Sequence, residues 1–407
     1  MHLRERAVTF RFDNQVRTQL EDMVTTPQFQ ALTKIVLLAP MEVGLGLLAF
    51  VLFATSTFLY LDGTLPLPVM WLLNGFAVYL SFTPLHDATH RTVSRHRGLN
   101  DVIGTICCLL LLPGVTTGVY RYLHLEHHRY AGNASKDPDE PFVSAPGWAL
   151  PFVLAGLDLL WARWYLRHWS SRPYAEHVEF TLGMLFYVAV HVAFLVSPYA
   201  MEFVLCFVVP QRLGLFGVSW FFAHIQHIEG VEWEQQPLQT TYKIRAGWLV
   251  DLLMLGQATH CIHHLAPSVP FYRYGRAWRI GREIFGDQVP QRSLWRKPPL
   301  DDVAHPAGSA YADGVGMDNH SFAVEIHSTG EELLVEPHET LIDVLHEHGY
   351  PVMCSCTQGV CGSCLTPVLE GEIDHRDVIL SPEDRAANDC MTVCVSRAAG
   401  SRLVLDL

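Results

Sequence analysis

Charge is what this 407-residue chain has least of. Asp, Glu, Lys and Arg make up 17% of it, hydrophobic residues 50%, and the mean hydropathy is +0.18. So little charge argues against a chain that is soluble throughout and points to segments lying in lipid. A secretory leader is also missing. Residues 1–34 are polar and charged, without a short apolar core or a small-residue cleavage site, so the N-terminus is expected in the cytoplasm. No Gly-x-Gly-x-x-Gly follows a strand-like run, which speaks against a nicotinamide or flavin domain of the dinucleotide-binding kind.

The charge that is present is lopsided. From His320 onward, fifteen Asp and Glu face four Arg, a net −11 of the chain's −13. Such a split marks a boundary between unlike modules. An acidic soluble tail argues against nucleic acid as a partner and suits a basic protein. The cysteines divide in the same way. Cys107, Cys108, Cys206 and Cys261 sit in apolar or near-apolar contexts, and the other six fall between Cys354 and Cys394. In a chain that starts in the cytoplasm, such a cluster reads as metal ligation before disulfides. Lys297 to Asn319 is dominated by Pro, Gly, Ala and Asp and has no hydrophobic period, so it reads as a linker. The chain thus divides into a cytoplasmic segment 1–34, an apolar domain 35–296, a linker 297–319 and a tail 320–407.

Two runs in the apolar domain are long enough to cross a bilayer: Ile35–Tyr60, with Glu42 its only charge, and Pro66–Leu85, with none. They form a hairpin around Leu61–Leu65. Phe180–Ser197 and Met201–Ala223 make a second pair, although Pro210, Gln211 and Arg212 interrupt the latter and a charge at that depth is costly. Val102–Tyr120 and Gly147–Leu160 are read as helices at or dipping into the interface. Neither outer turn holds Lys or Arg, which fits both termini on the cytoplasmic side. An odd extra crossing would part the histidine clusters described next.

His86 and His90 are four apart. His124, His127 and His128 follow the pattern His-x-x-His-His, and His260, His263 and His264 repeat it. On helices each set shares one face. Neutral imidazole is the commonest metal-ligating side chain, and eight of them suffice for two metal ions with positions left open for oxygen. A lone histidine pair is usually a satisfied surface or core pair. Three boxes aligned with the exits of apolar runs are not.

From Ile35 to about Gly286 the chain resembles the membrane fatty acid desaturase and hydroxylase superfamily, on the three boxes and on "HHLAPSVPFYRY". That resemblance implies a non-haem di-iron centre with O2 as co-substrate, held by about nine histidines, the ninth following the last span. "IQHIEGVEW" favours His227 over His224 for that place. His96, His168, His177 and His191 are left as structural or surface residues. Asp87, Asn100, Asp137 and Asp139 stand where family members carry groups that orient the imidazoles, and capping or turn roles fit them equally.

In the tail, Cys356-x4-Cys361-x2-Cys364 with Cys394 after a long gap is the plant-type [2Fe–2S] spacing. A zinc site would more often show two short Cys pairs. Gly359 and Gly362 let the loop wrap closely, and Cys354 and Cys390 are extra thiols. "SFAVEIHSTGEELLVE" reads as strand, turn and strand, and "ETLIDVLHEHG" as a short helix stopped at Gly349. From about Ser321 the tail resembles the ferredoxin domain of phthalate dioxygenase reductase-type proteins, which implies an α+β, β-grasp fold. Those relatives also carry flavin and nicotinamide domains. This chain has no room for them, so a separate NAD(P)H-dependent flavin ferredoxin reductase is expected to supply electrons.

The expectation is an α-helical integral membrane domain, with about four transmembrane helices, interfacial helices and a cytoplasmic histidine-rich cap, followed by the ferredoxin domain. A multi-pass protein of a bacterial-type inner membrane, it would act as an O2-dependent desaturase of fatty acyl lipids or thioesters. A hydroxylase of an alkyl or aromatic methyl substrate stands as the rival on the same scaffold. A redox or metal-handling membrane protein without substrate oxidation is the alternative from another class.

Overall fold

The computed structural model describes residues 14–294 and 319–407, apart from positions 234, 246, 351, 353, 355, 358, 360, 361, 378 and 381. Residues 1–13 and nearly all of the expected linker, with Cys361, lie outside the described residues.

Four helices are long and apolar enough to cross a membrane: α1 (Pro40–Leu61), α2 (Leu67–Thr89), α6 (Tyr174–Leu195) and α7 (Ala200–His224). Each opens at or close to a sequence break, α1, α2 and α6 immediately after or upon a proline that presets the first turn. They do not share burial equally. In the most apolar window of α2, 61% of residues are buried, against 11% for α1 and 6% for α6. Helices this apolar and this bare have no stable place in water and suit a hydrocarbon surround.

The two shorter runs do not make extra crossings. Val102–Tyr120 is broken into α3 (Arg97–Leu111) and the start of α4 (Thr117–Tyr130), and Gly147–Leu160 into Leu150–Ala155 and α5 (Leu157–Arg167). At about 1.5 Å per residue none of these reaches across a hydrocarbon core.

The interruption in α7 is absorbed by its neighbours. Pro210 has no N–H, so the carbonyl four residues back, that of Cys206, loses its helical donor. Asn74 Nδ2 donates to that carbonyl at 2.9 Å, and Trp71 Nε1 donates to the Leu205 carbonyl at 2.9 Å, both from α2. The helix widens to i→i+5 turns over Val204–Val208, the local adjustment that re-pairs freed groups. Gln211 Nε2 donates to the Leu111 carbonyl at the end of α3. Arg212 finds Asp158 of α5, at 2.8 and 2.5 Å. One turn on, α7 crosses α2 so closely that a Cβ on Gly214 would lie 2.5 Å from the Val78 Cβ. Small residues at such a crossing let two backbones approach, and this crossing fixes the ends of α2 and α7 side by side.

Among the further helices of the histidine domain are α8 (His260–Leu265) and α9 (Tyr274–Phe285). In the tail, five strands form one sheet: β1 (Phe322–Ile326), β2 (Glu331–Val335), β3 (Leu365–Glu370), β4 (Cys390–Thr392) and β5 (Arg402–Leu405), in the order β2-β1-β5-β3-β4. β1 and β5 run parallel and the other pairs antiparallel. Helix α10 (Leu341–Glu347), capped by Thr340, packs Leu341 and Leu345 into the same core as Val324 and Leu333. The strand, turn, strand and short helix expected from the sequence are all present.

Candidate metal centre

The histidine boxes come from four places. His86 lies in the last turn of α2 and His90 caps it, box two lies within α4, His227 follows α7, and box three fills α8. Helical spacing puts each box on one face, but the boxes do not act as units. His86, His90, His124, His128 and His263 form one buried group, and His127, His227, His260 and His264 form another. Boxes two and three each split. In box two the i, i+4 pair goes to the first group and His127 to the second; in box three His260 and His264 go to the second and His263 to the first.

Within the groups the ring nitrogens crowd. Nε2 of His128 is 3.1 Å from that of His124 and 2.7 Å from that of His263; His86 reaches His263 at 2.9 Å and His90 reaches His124 at 2.8 Å. In the second group His227 is 3.1 Å from His127 and 3.0 Å from His264, and His260 is 3.1 Å from His264. An imidazole nitrogen sits about 2.1 Å from a first-row ion, so neighbouring ligands on one ion lie about 3 Å apart.

The opposite edges of the rings explain why those nitrogens cannot simply bond to one another. His127 Nδ1–H donates to Asp137 Oδ1 at 2.9 Å, His227 Nδ1–H to the Ala223 carbonyl at 2.9 Å and His260 Nδ1–H to Gln257 Oε1 at 2.8 Å. With the proton on Nδ1, each Nε2 presents a lone pair. Nε2 of His127 and Nε2 of His227 then face each other at contact distance, and a cation bound between them would take the place of any second proton on His127. The donor set therefore fits metal ions, all nitrogen and buried, with acceptor partners behind His127, His227 and His260.

Charge states agree for all but one of the rings that follow. Burial holds His90, His124, His128, His260, His263 and His264 well below the ordinary imidazole value, helped by the neighbouring rings. It takes His227 down to about 3. These rings are neutral, the form that ligates. His127 differs. Burial pushes it down too, but Asp137 and Asp139 outweigh that and carry it up to about 9.

Of the four candidate orienting residues, three meet the histidines. Asp87 Oδ1 lies 3.2 Å from His86 Nδ1, and its Oδ2 accepts the Phe271 backbone N–H. Asp137 also accepts the Gly132 and Asp139 N–H groups, so its carboxylate is fixed on three sides. Asp139 stands 3.7 Å from His127 Nδ1 and accepts the Trp161 indole at 2.7 Å. Asn100 is the exception. Its amide ties Val93, Ser94 and His96 backbone groups at the turn before α3 and touches no box histidine. It takes the turn role, not the orienting one.

His227 joins the second group, whereas His224 turns its Nδ1–H to the Phe142 carbonyl. His168, His177 and His191 each bond a backbone carbonyl, as structural residues do. Two partners escaped the sequence reading. Tyr274 O–H lies 2.8 Å from His263 Nδ1, and Gln257 holds His260. Gln257 stands three residues before its histidine, a spacing that signals contact. Nothing local marks Tyr274, eleven residues on.

Beside both groups is a cavity of about 20 Å3 lined by Phe82, Tyr120, Leu157, Trp161, Val218 and Phe222, with room for one molecule of water or O2 size. The Tyr120 hydroxyl is buried there with no hydrogen-bond partner among the described residues. A larger cavity, about 600 Å3, lies away from the two histidine groups between α1, α6 and α7, lined by Phe53, Phe186 and Phe207 among others.

In the tail, Cys356, Cys364 and Cys394 are buried, with the Cys364 and Cys394 sulfurs 3.2 Å apart. Gly359 and Gly362 both have φ of +72°, and a Cβ on Gly359 would lie 2.6 Å from Val395. Only glycine suits such close left-handed winding. Cys354, one of the extra thiols, is buried beside Cys364 and Cys394.

The fatty acid desaturase family model matches residues 63–295, more than half of the chain. The chain belongs to the fatty acid desaturase family. A second model, for the 2Fe-2S iron-sulfur cluster binding domain, matches residues 324–399. This desaturase-family chain is thus an oxidoreductase with a fused ferredoxin domain that holds a [2Fe–2S] cluster.

The curated relatives align over a stretch the size of the tail. Vanillate O-demethylase oxidoreductase of Pseudomonas sp. (strain HR199 / DSM 7063) is 47% identical over 107 residues, 26% of this chain and 34% of that protein. The carnitine monooxygenase reductase subunit of Escherichia coli (strain K12) is 41% identical over 107 residues, 26% of this chain and 32% of that one. The chain spans about a third of the length of these relatives. Among solved structures, Pseudomonas putida CBB5 NdmA with the ferredoxin domain of NdmD matches 22% of this chain and 100% of that one, at 35% identity and a TM-score of 0.21.

Proposed function

We propose that the chain is an O2-dependent desaturase of fatty acyl lipids or thioesters, with two non-haem irons in the histidine groups and the tail as electron donor. The observation that carries this reading is the set of nine buried histidines whose ring nitrogens converge in two groups. Bound there, two irons would supply the O2-activating redox chemistry.

The chain's own residues hold and shield. Asp87, Asp137 and Gln257 fix the rings that present Nε2. Phe82, Leu157, Val218 and Phe222 line the small cavity beside both groups with apolar surface, which keeps bulk water from them. Removing two hydrogens from the acyl chain while O2 goes to two waters consumes two further electrons and two protons. A separate flavoprotein oxidising NAD(P)H would provide the electrons, and the acidic tail offers it a surface.

The same electron count serves insertion of one oxygen atom. The names of the tail's relatives, a monooxygenase reductase subunit and an O-demethylase oxidoreductase, favour a hydroxylase as the second reading. For localisation we propose a bacterial-type inner membrane, with both termini and the histidine boxes on the cytoplasmic face. The even number of candidate spans and the outer turns free of Lys and Arg support this.

Expression with a ferredoxin reductase, followed by mass spectrometry of cellular lipids and added alkyl substrates, separates the readings. A product two hydrogens lighter establishes the desaturase. One oxygen heavier, labelled from 18O2, makes it a hydroxylase. Neither product from a chain with both centres loaded would overturn both.

A further inference from the structure

We propose that the ferredoxin domain has a built docking site on its own chain, on the face of α4 that carries Arg129, and delivers electrons to the histidine groups from there. The inference rests on the electron-donor reading given above and adds where and through which residues the tail engages.

Arg129 immediately follows His128, a member of the first histidine group. Its side chain points away from that group and into the tail. One guanidinium nitrogen lies 2.7 Å from Asp343 Oδ1 and another 3.1 Å from His346 Nδ1, both on α10. Neither partner is loose. Asp343 uses its other oxygen to accept from Thr340 at the helix cap, 2.6 Å away, and His346 Nε2–H donates to the Val352 carbonyl. The latter bond ties α10 to the start of the cysteine loop. Cys354, beside Cys364 and Cys394, also lies within electrostatic reach of the Arg129 guanidinium. One arginine thus stands between a ring that would hold iron and the thiols that hold the cluster.

The contact is not only polar. Cys356, a cluster ligand with 1% of its surface exposed, belongs to the same buried apolar cluster as Ala131, Trp233 and Phe285 of the histidine domain. The Trp233 backbone N–H donates to the Ala131 carbonyl, and its ring lies 5.7 Å from that of His264. An apolar seat of this kind excludes water around the cluster edge, and the Arg129 pairings fix the orientation.

The tail as a whole is strongly acidic, and most of that charge lies elsewhere. Glu331, Glu332, Glu370 and Glu372 are exposed and take no part in these contacts, so an external basic donor has a separate surface to meet. Each engagement passes one electron from the reduced cluster, which returns to its oxidised form, towards the histidine groups. Two engagements supply the pair each turnover consumes. The flavoprotein reductase, oxidising NAD(P)H, is their source.

The test uses the full chain in detergent, with Arg129→Glu, Asp343→Arg and the double exchange. Amide hydrogen exchange over 341–347 reads docking without any turnover. Arg129→Glu is expected to speed that exchange about tenfold, and the double exchange to restore it to within about threefold. Cluster reoxidation in the iron-loaded chain should slow and recover in step, with the visible cluster spectrum unchanged in all three as the check on folding. Unchanged protection and unchanged reoxidation in Arg129→Glu, with the cluster intact, would overturn the proposal. So would a double exchange that recovers neither. If protection follows the charges but neither lipid product forms, the docking site stands and the substrate reading falls.

Discussion

Arg212 and Asp158 are joined end to end, the guanidinium of α7 meeting both carboxylate oxygens of α5 at 2.8 and 2.5 Å. The side chains are 30% and 17% exposed. A charge placed within an apolar helix is therefore matched by the one acidic residue of the short helix packed against it.

Breaking that pair leaves a cation in an apolar setting. Asp158→Asn is expected to lower stability by about 2 kcal/mol, below the roughly 3–5 kcal/mol of a fully buried pair because both side chains keep part of their surface uncovered by protein. Arg212→Met with Asp158→Leu should recover most of it. Thermal unfolding of the detergent-solubilised chain measures both, and equal loss in the single and double variants would show that the pair is not what matters.

Asp137 and Asn100 should part company on metal content. Asp137→Ala removes the acceptor that fixes the His127 ring, and metal affinity is expected to fall about 10- to 100-fold. Asn100→Ala should leave iron per chain unchanged and cost stability instead, because it abandons the backbone groups of Val93 and Ser94. Iron analysis at fixed cluster content reads the difference.

Tyr120→Phe deletes a buried hydroxyl that has no partner among the described residues. Losing an unpaired buried polar group costs nothing and typically gains up to about 1 kcal/mol. Melting temperature should hold or rise and iron content stay the same, while turnover falls if the hydroxyl contacts substrate in the cavity it lines. A clear loss of stability would mean that the hydroxyl has a partner after all.

Gly214→Val puts a branched side chain where even a Cβ lies 2.5 Å from Val78. Overpacking of this kind costs about 1–3 kcal/mol. Since the same crossing sets α2 beside α7, the loss should appear in iron loading as well as in melting. A variant that melts early yet loads fully would separate the crossing from the metal centre.

Much of this was legible from the residues. Long apolar runs with one charge or none gave away α1, α2 and α6, because nothing but lipid or a large core accommodates them. The spacings of three and four gave away boxes two and three, since helical periodicity acts over those distances. What spacing does not carry is which ring goes to which group. His263 joins His128 rather than its neighbour His264 because the grouping is made by contacts between α4 and α8, which are remote in sequence. Tyr274 and Trp161 were invisible for the same reason, their partners being remote in sequence. Arg212 seemed misplaced because its counter-charge lies on a separate helix. Asn100 was drawn towards the histidines by its position, and its four backbone bonds are a turn's signature that sequence alone does not distinguish. The cluster ligand Cys361 lies outside the described residues, so its part rests on spacing.

The cavity beside the histidines bears on economy. At about 20 Å3 it is too small for any part of an acyl chain, so in the proposed desaturase reading a methylene would enter here only where the wall of Trp161, Phe222 and Phe82 parts. Entry by a fitting chain and readiness to react become a single event. Molecules that open the wall without filling it would divert reducing power into partly reduced oxygen. The ratio of oxygen consumed to lipid altered is then a ruler of molecular fit, and the best substrate is the one that wastes least.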